Sequence, residues 1–475
     1  MIVSNRNNKL VLSVMVVGIS LALFFFLIPY NSESIYQYNY TVNAVCLIIC
    51  MLLYINLIQI GSVDLFSTCT IFSVLYFTMF FVTPIYDIIA EEYLWFGINL
   101  FDQGVKGSLF ALLGYLSFYI VMRYNFTFGY NLPTVEEELD STNVRSIYFT
   151  NRALLFVAVG YIVCLMANIY YLVSSGGNSV IYILTLGVVG NTGNATAADI
   201  GAISMLSYAL PSFTLLYFEL GKNRALKIIS FFLMFELQVA RGFRFFILQI
   251  AIMFGVYYYL RNNKRPKFHQ IVLLSALILI PLIIMTLFRN SIRTGAGIDM
   301  SVINGEALKD ALEAVFWDNL RIYKNYYALL KVVPYNTPFL FGAQTIVYTG
   351  IMLIPRAIWP SKPGNPGTIA QGIALGSAAV NGGSAYPALG EYYYDFGIIG
   401  ILFWMTVWGI FLKKIEARYR IRQKSVVDLM IYCTALGTIL QFTIRGYMPS
   451  NFWMLVFCMI PFWMMKKFFM RSKLF

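Results

Sequence analysis

Long apolar runs recur from one end of this chain to the other, separated by short polar stretches, and no other feature limits the fold as strongly. A run of about 17–25 apolar residues crosses a hydrocarbon layer as a helix, because lipid offers no partner to a free backbone N–H or C=O. Such runs lie at 10–29, 41–60, 65–90, 104–122, 152–173, 200–219, 225–240, 243–260, 270–288, 393–412, 426–444 and 451–467. Those at 225–240 and 243–260 are short, and they predict a tight hairpin around Arg241-Gly242-Phe243-Arg244. Of the 475 residues, 59% are hydrophobic and only 12% charged, more apolar surface than a soluble core can hide. The expectation is one integral domain: an all-α polytopic membrane protein with about twelve transmembrane helices. Residues 10–29 resemble a secretory signal, but Pro29, Tyr30 and Asn31 stand where cleavage needs small residues, so a retained helix is expected.

The net charge of +12 does not indicate a nucleic-acid partner. Basic residues sit in short clusters between apolar runs, as topology signals do. With twelve crossings, 22 of the 34 Lys and Arg fall on one side, including all of those in 413–424 and 466–473. That side is assigned to the cytoplasm, with both termini on it. The stretch 180–190 is too short to span, and a crossing at 339–354 would invert everything after it. Both are expected to dip into the membrane or lie on its surface. The six cysteines all fall inside apolar runs, which implies buried thiols and neither a disulfide framework nor a zinc site. No internal repeat is visible, which disfavours transporters built from duplicated halves.

The division that follows is 1–288 (transmembrane helices 1–9), 289–392 (an extracytoplasmic loop) and 393–475 (helices 10–12 and a cytoplasmic C-terminus). A structureless loop of that length is uncommon. Residues 306–333 have helical spacing in Leu308, Leu312, Val315, Phe316, Leu320, Tyr323, Tyr327 and Leu330, with Asn304 and Glu306 at its start and Pro334 at its end. The segment Trp359–Gly367 is a turn-rich link, and Gly390 to Gly397 stands at the mouth of the next helix.

Basic residues on the outer side are few, yet most are arginine: Arg241, Arg244, Arg289, Arg293, Arg321, Arg356 and Arg445. Topology does not require arginine there. Its planar fork binds phosphate through two parallel hydrogen bonds and cannot lose its proton. Each could also be an ordinary headgroup anchor, and Arg241 could bridge back to Glu236. The only histidine, His269, lies in an inner loop, so a histidine base on the outer face is not expected. No Asp-x-Asp pair occurs outside, so no metal site and no cofactor are expected. Arginines with the carboxylates Glu391 and Asp395 fit group transfer from a lipid-linked pyrophosphate: the cations neutralise the leaving group and a carboxylate takes the proton of the attacking hydroxyl. Either carboxylate also suits a helix N-terminus, where the dipole favours it. The loop tyrosines, Tyr386 and Tyr392 among them, suit stacking on sugar faces as well as interfacial anchoring.

Three features resemble the bacterial oligosaccharide repeat-unit polymerases (Wzy-type, O-antigen or capsule) and the related O-antigen ligases. They are Ala240-Arg241-Gly242-Phe243-Arg244, the long outer loop between spans nine and ten, and Tyr386 through Gly400 with Asp395-Phe396-Gly397-Ile398-Ile399-Gly400. The resemblance implies a GT-C-like glycosyltransferase at the periplasmic face of the bacterial inner membrane, acting on undecaprenyl-pyrophosphate-linked oligosaccharide. It also implies that Arg241, Arg244 and Arg321 hold pyrophosphate, and that a Wzz-type chain-length regulator is a possible partner. Tyr386 stands where the ligases carry their signature histidine, which favours a polymerase and moves the proton-acceptor role to Glu391. The alternatives are a glycan ligase and a flippase of lipid-linked oligosaccharide. A flippase would need ionisable residues lining a path, for which Asp87 and Glu236 are the candidates.

Overall fold

The computed structural model describes residues 35–59, 65–124, 148–149, 151–176, 205–240, 244–264, 266–287, 305–318, 320–355, 358–376, 387–420 and 425–471. These residues are nearly all helical. Among the described residues, seven helices are long and apolar enough to cross a membrane: Ile35–Gln59, Thr68–Ile89, Phe101–Arg123, Arg152–Leu172, Ala388–Tyr419, Val426–Ile444 and Met448–Phe469. Helices Leu210–Leu220, Arg224–Ala240, Arg244–Arg261 and Phe268–Leu287 occupy four further apolar runs. The expected first span, 10–29, and the stretch 180–190 lie outside the described residues.

Side-chain contacts sort the helix ends into two sets. At one end Lys413 caps the 104–123 helix, donating from Nζ to the carbonyls of Val121 and Tyr124 at 2.9 Å each. Beside it Glu416 accepts from the amide and hydroxyl of Thr68 at 2.8 Å and from the Tyr432 hydroxyl at 2.9 Å. A cation thus meets carbonyls left open at a helix C-terminus, and an anion meets amides left open at an N-terminus. Arg261 pairs with Glu219 at 2.8 Å where the 210–220 and 244–261 helices finish. The opposite end gathers Asp87, Glu391, Arg445, Met448 and the segments 305–355 and 358–376.

Buried polar side chains lace the first described helices together. Ser108 Oγ donates to Asn43 Oδ1 at 2.8 Å, and Tyr119 OH donates to Asn56 Oδ1 at 2.8 Å. The 68–89 helix widens into a π-helical stretch at Thr78–Val82, just before Pro84. Proline has no N–H for the helical ladder, and just before it the Thr78 carbonyl accepts from both the Thr83 amide and the Thr83 hydroxyl, the latter at 2.7 Å.

The helix Ala388–Arg420 is broken at Phe396 and Gly397, so a short helix at 388–395 precedes the long one. Gly397 has φ of +61°, which L side chains adopt only at a cost, and a Cβ there would lie 3.2 Å from the Phe339 ring. A Cβ at Gly400 would meet the Tyr392 carbonyl oxygen at 2.1 Å. The glycine spacing read from the sequence is therefore the requirement of one kink.

The single amphipathic helix expected over 306–333 is two helices, Gly305–Glu313 (continued by a π-helical turn at Ala314–Asp318) and Tyr323–Val332. The physical reason is that the halves bury different faces: Leu308, Leu312 and Phe316 are exposed, whereas Tyr323, Tyr326, Tyr327 and Leu330 are buried. The 323–332 helix packs on Gly107 through Tyr327 and beneath Gly390 through Leu329. It ends at Val332, just before Pro334, as expected. Within 339–354 the chain forms only the helical segment Ala343–Ile351, too short to cross a layer of about 30 Å at about 1.5 Å per residue.

Gly397→Ala is expected to cost about 1–2 kcal/mol from the left-handed backbone alone, and Gly400→Ala more, because its clash is with backbone. Thermal unfolding of the detergent-extracted variants checks both the loss and its order.

Candidate active site

Glu391 and Asp395 are four residues apart on the 388–395 helix and are both fully buried. That spacing puts them on one face. Glu391 Oε1 accepts from Gln344 Nε2 at 3.0 Å, and Oε2 accepts from the Met448 amide at 2.6 Å. Met448 opens the last helix, with Pro449 next, so Glu391 sits at that helix's positive end. Asp395 does the same for the segment 343–351: it accepts from the amides of Gln344 at 3.2 Å and Thr345 at 2.8 Å, and from the Thr345 hydroxyl. At the far end of that segment Lys362 Nζ donates to the Met352 and Ile354 carbonyls at 3.3 and 2.9 Å. Trp453 Nε1 donates to the Thr349 carbonyl at 2.7 Å, tying the segment to the last helix. Among the described residues neither Glu391 nor Asp395 has a lysine or arginine partner, and no cluster of three His, Cys, Asp or Glu could hold a metal ion.

Arg445 lies in the turn just before Met448, with its guanidinium 5.4 Å from the Phe245 ring centroid. Phe245 is the second residue of the helix that Arg244 begins. The start of the 244–261 helix, at Phe245, Arg445 and the Met448 turn that holds Glu391 therefore lie together at one end of the bundle. Arg241, Arg289, Arg293, Arg356 and Tyr386 lie outside the described residues, as does the Arg244 side chain. Tyr392 is buried, its ring stacked on Trp404 at 5.8 Å, and it lines a small aromatic cavity with Phe72, Tyr76, Trp408 and Phe442. Glu236 is exposed, and His269 is exposed at the opposite end of the bundle.

Arg321 belongs to a second cluster. Its Nε donates to Asp87 Oδ1 at 3.0 Å, and its terminal nitrogens lie 3.5 Å from Glu313 and 4.0 Å from Glu92. Asp87 Oδ2 also meets Lys324 Nζ at 3.0 Å and accepts from the Tyr323 hydroxyl at 2.9 Å. Burial pulls Lys324 below the ordinary lysine pKa, although Asp87 draws it the other way. Burial acts against Arg321 too, but attraction to Asp87, then to Glu92 and Glu313, holds it above the ordinary value. The Lys324 ammonium also donates to the Glu92 carbonyl at 2.5 Å, and Trp95 Nε1 donates to Asn325 Oδ1 at 2.5 Å. The Asp87 cluster thus moors the 323–332 helix on the connection between the second and third described spans.

Sequence reasoning named Glu391 and Asp395 but missed Gln344, Thr345 and Lys324. Gln344 and Thr345 sit in a stretch that reads only as apolar. Asp87 stood out as an ionisable residue in an apolar run, and nothing local pointed to its partners.

The chain matches the family of the O-antigen polysaccharide polymerase Wzy over residues 13–473, and it belongs to that family. No curated protein and no solved structure matches it. Family membership makes it a multi-pass membrane protein of O-antigen repeat-unit polymerisation.

Asp87→Asn is expected to destabilise the protein strongly, since removing one partner of a buried ion pair costs about 3–5 kcal/mol. A fall in melting temperature, together with faster proteolysis within 305–376, checks it. Asp395→Ala should cost about 1–2 kcal/mol as a lost cap and increase thiol labelling of Thr349→Cys.

Proposed function

We propose that this member of the polymerase family joins undecaprenyl-pyrophosphate-linked repeat units into O-antigen or capsular polysaccharide at the periplasmic face of the inner membrane, by inverting glycosyl transfer in which arginines do the work of a metal. The observation that carries the reading is that Arg445 packs on Phe245, at the start of the 244–261 helix, beside the Met448 turn that holds Glu391. In this reading the acceptor sugar hydroxyl gives its proton to Glu391 as its oxygen attacks the anomeric carbon of the growing chain. The bond from that carbon to the pyrophosphate oxygen breaks, and its electron pair leaves with the lipid pyrophosphate. One displacement from the face opposite the leaving group inverts the anomeric centre.

Arg241, Arg244 and Arg445 receive the developing negative charge, with fixed donors whose value rises where water is excluded. Arg289, Arg293 and Arg356 serve the same pyrophosphate or anchor the loop at the headgroups. The Asp87 contact gives Arg321 a second task, holding the 323–332 helix over the site. Asp395 positions the segment 343–351 beside Glu391, Tyr386 belongs to the glycan side, and Tyr392, buried against Trp404, supports the helix that carries both carboxylates. Twelve crossings with both termini in the cytoplasm place this end of the bundle outside, with the loop between spans nine and ten. A Wzz-type regulator of chain length is the expected partner, and no cofactor is required.

In a strain lacking the gene, wild-type protein is expected to restore long glycan chains on a gel. Glu391→Gln and Arg241→Ala should leave single repeat units on the acceptor, with expression unchanged and activity down by at least about 100-fold. Full-length polymer from Glu391→Gln would overturn the assignment of the proton acceptor. Polymer stranded on its carrier, with none on the acceptor, would mean a ligase instead.

A further inference from the structure

Gln344 meets both buried carboxylates, Glu391 through its side chain and Asp395 through its backbone amide. It is fully buried in the segment 343–351. Its Nε2 donates to Glu391 Oε1 at 3.0 Å, while its Oε1 accepts from the Gly367 amide at 3.3 Å. Its own backbone amide donates to Asp395 Oδ1 at 3.2 Å. These contacts fix the orientation of the side-chain amide: a backbone N–H can only donate, so the oxygen end must face Gly367 and the NH2 end must face Glu391. Gly367 lies in the first turn of the Pro366–Leu375 helix, whose N-cap Asn365 also accepts from the Gly367 amide, at 3.0 Å. The helix that follows the turn-rich link is thereby connected, through one neutral amide, to a carboxylate 47 positions away from that amide.

We infer that Gln344 is a positioning residue for glycosyl transfer, an inference that rests on Glu391 being the proton acceptor. An amide presents the same donor at every pH, so it holds Oε1 in place before and after Glu391 takes a proton. With Oε1 held by Gln344 and Oε2 by Met448, rotation of the carboxylate is arrested. A general base arrested in this way avoids reorganisation during the transfer. Gln344 also makes this geometry depend on the 366–375 helix being seated, since the same amide is held by Gly367.

The test uses full-length protein in lipid nanodiscs with synthetic lipid-linked repeat units, comparing wild type, Gln344→Met, Gln344→Glu and Glu391→Gln. Methionine has nearly the volume of glutamine but neither the donor nor the strong acceptor. Gln344→Met is expected to lower kcat roughly 10- to 100-fold while KM stays within about threefold. Glutamate keeps the acceptor for Gly367 and donates to Glu391 only when protonated. The activity of Gln344→Glu relative to wild type should therefore rise as pH falls from about 8 to about 6. A side chain that merely tethers the loop predicts the opposite: near-normal, pH-independent relative activity for Gln344→Glu, and a raised KM for Gln344→Met. That pattern sinks the inference. Full kcat in Gln344→Met beside an inactive Glu391→Gln overturns the role of Gln344 and leaves that of Glu391 standing. An active Glu391→Gln removes the premise and the inference together. Should Gln344→Met fail to fold, the relative pH profile of Gln344→Glu decides.

Discussion

Four backbone and side-chain amides donating to two buried carboxylates hold the site end of this bundle together. Glu391 and Asp395 lie one turn apart on a short helix, and each closes the open N-terminus of a different segment. Amides without partners in a water-poor interior cost several kcal/mol, so neither segment can leave its carboxylate cheaply. The kink at Phe396–Gly397 makes this possible. It lets 388–395 take its own direction, while the helix beyond continues to Lys413 and Glu416 at the opposite end. The site and the membrane-spanning scaffold are thus parts of one helix, bent where glycine allows it.

The loop is moored a second time, and by charge. Asp87 has no exposure and holds Arg321 and Lys324, both nearly buried themselves. A carboxylate at that depth is tolerable only when paired and hydrogen-bonded. Two cations on one anion leave an excess positive charge, which Glu92 and Glu313 offset from a more exposed position. The 323–332 helix then lies between the Asp87 cluster on one side and Gly390 on the other, and the position of Glu391 depends on both. Both oxygens of that carboxylate are held, by Gln344 and by Met448, beside the turn that carries Arg445.

Much of the fold was legible because its signals are local. Among the described residues, the apolar runs from 41 onward are helical at about the expected positions, with only residues 241–243 between the 224–240 and 244–261 helices. The glycines of the 395–400 signature carried more information than the motif alone suggested, since Gly397 serves a left-handed residue and Gly400 a close backbone approach. The amphipathic spacing of 306–333 was real but concealed a break, because periodicity reports which residues are apolar and not which neighbour each will meet. Tyr323 and Phe316 look alike in the pattern, yet one is buried against the bundle and the other is exposed.

The sequence by itself determined the class: a helical membrane protein, with arginines and two carboxylates available near one end. Hydropathy and helical period act over tens of neighbouring residues, and lipid forces each apolar run to satisfy its own backbone. Only the tertiary structure decided what those groups face. Gln344 meets Glu391 across 47 positions, and Arg321 meets Asp87 across 234. Such pairs are selected by the cost of leaving buried charges and amides unpaired once the helices have packed, and no local pattern records that cost.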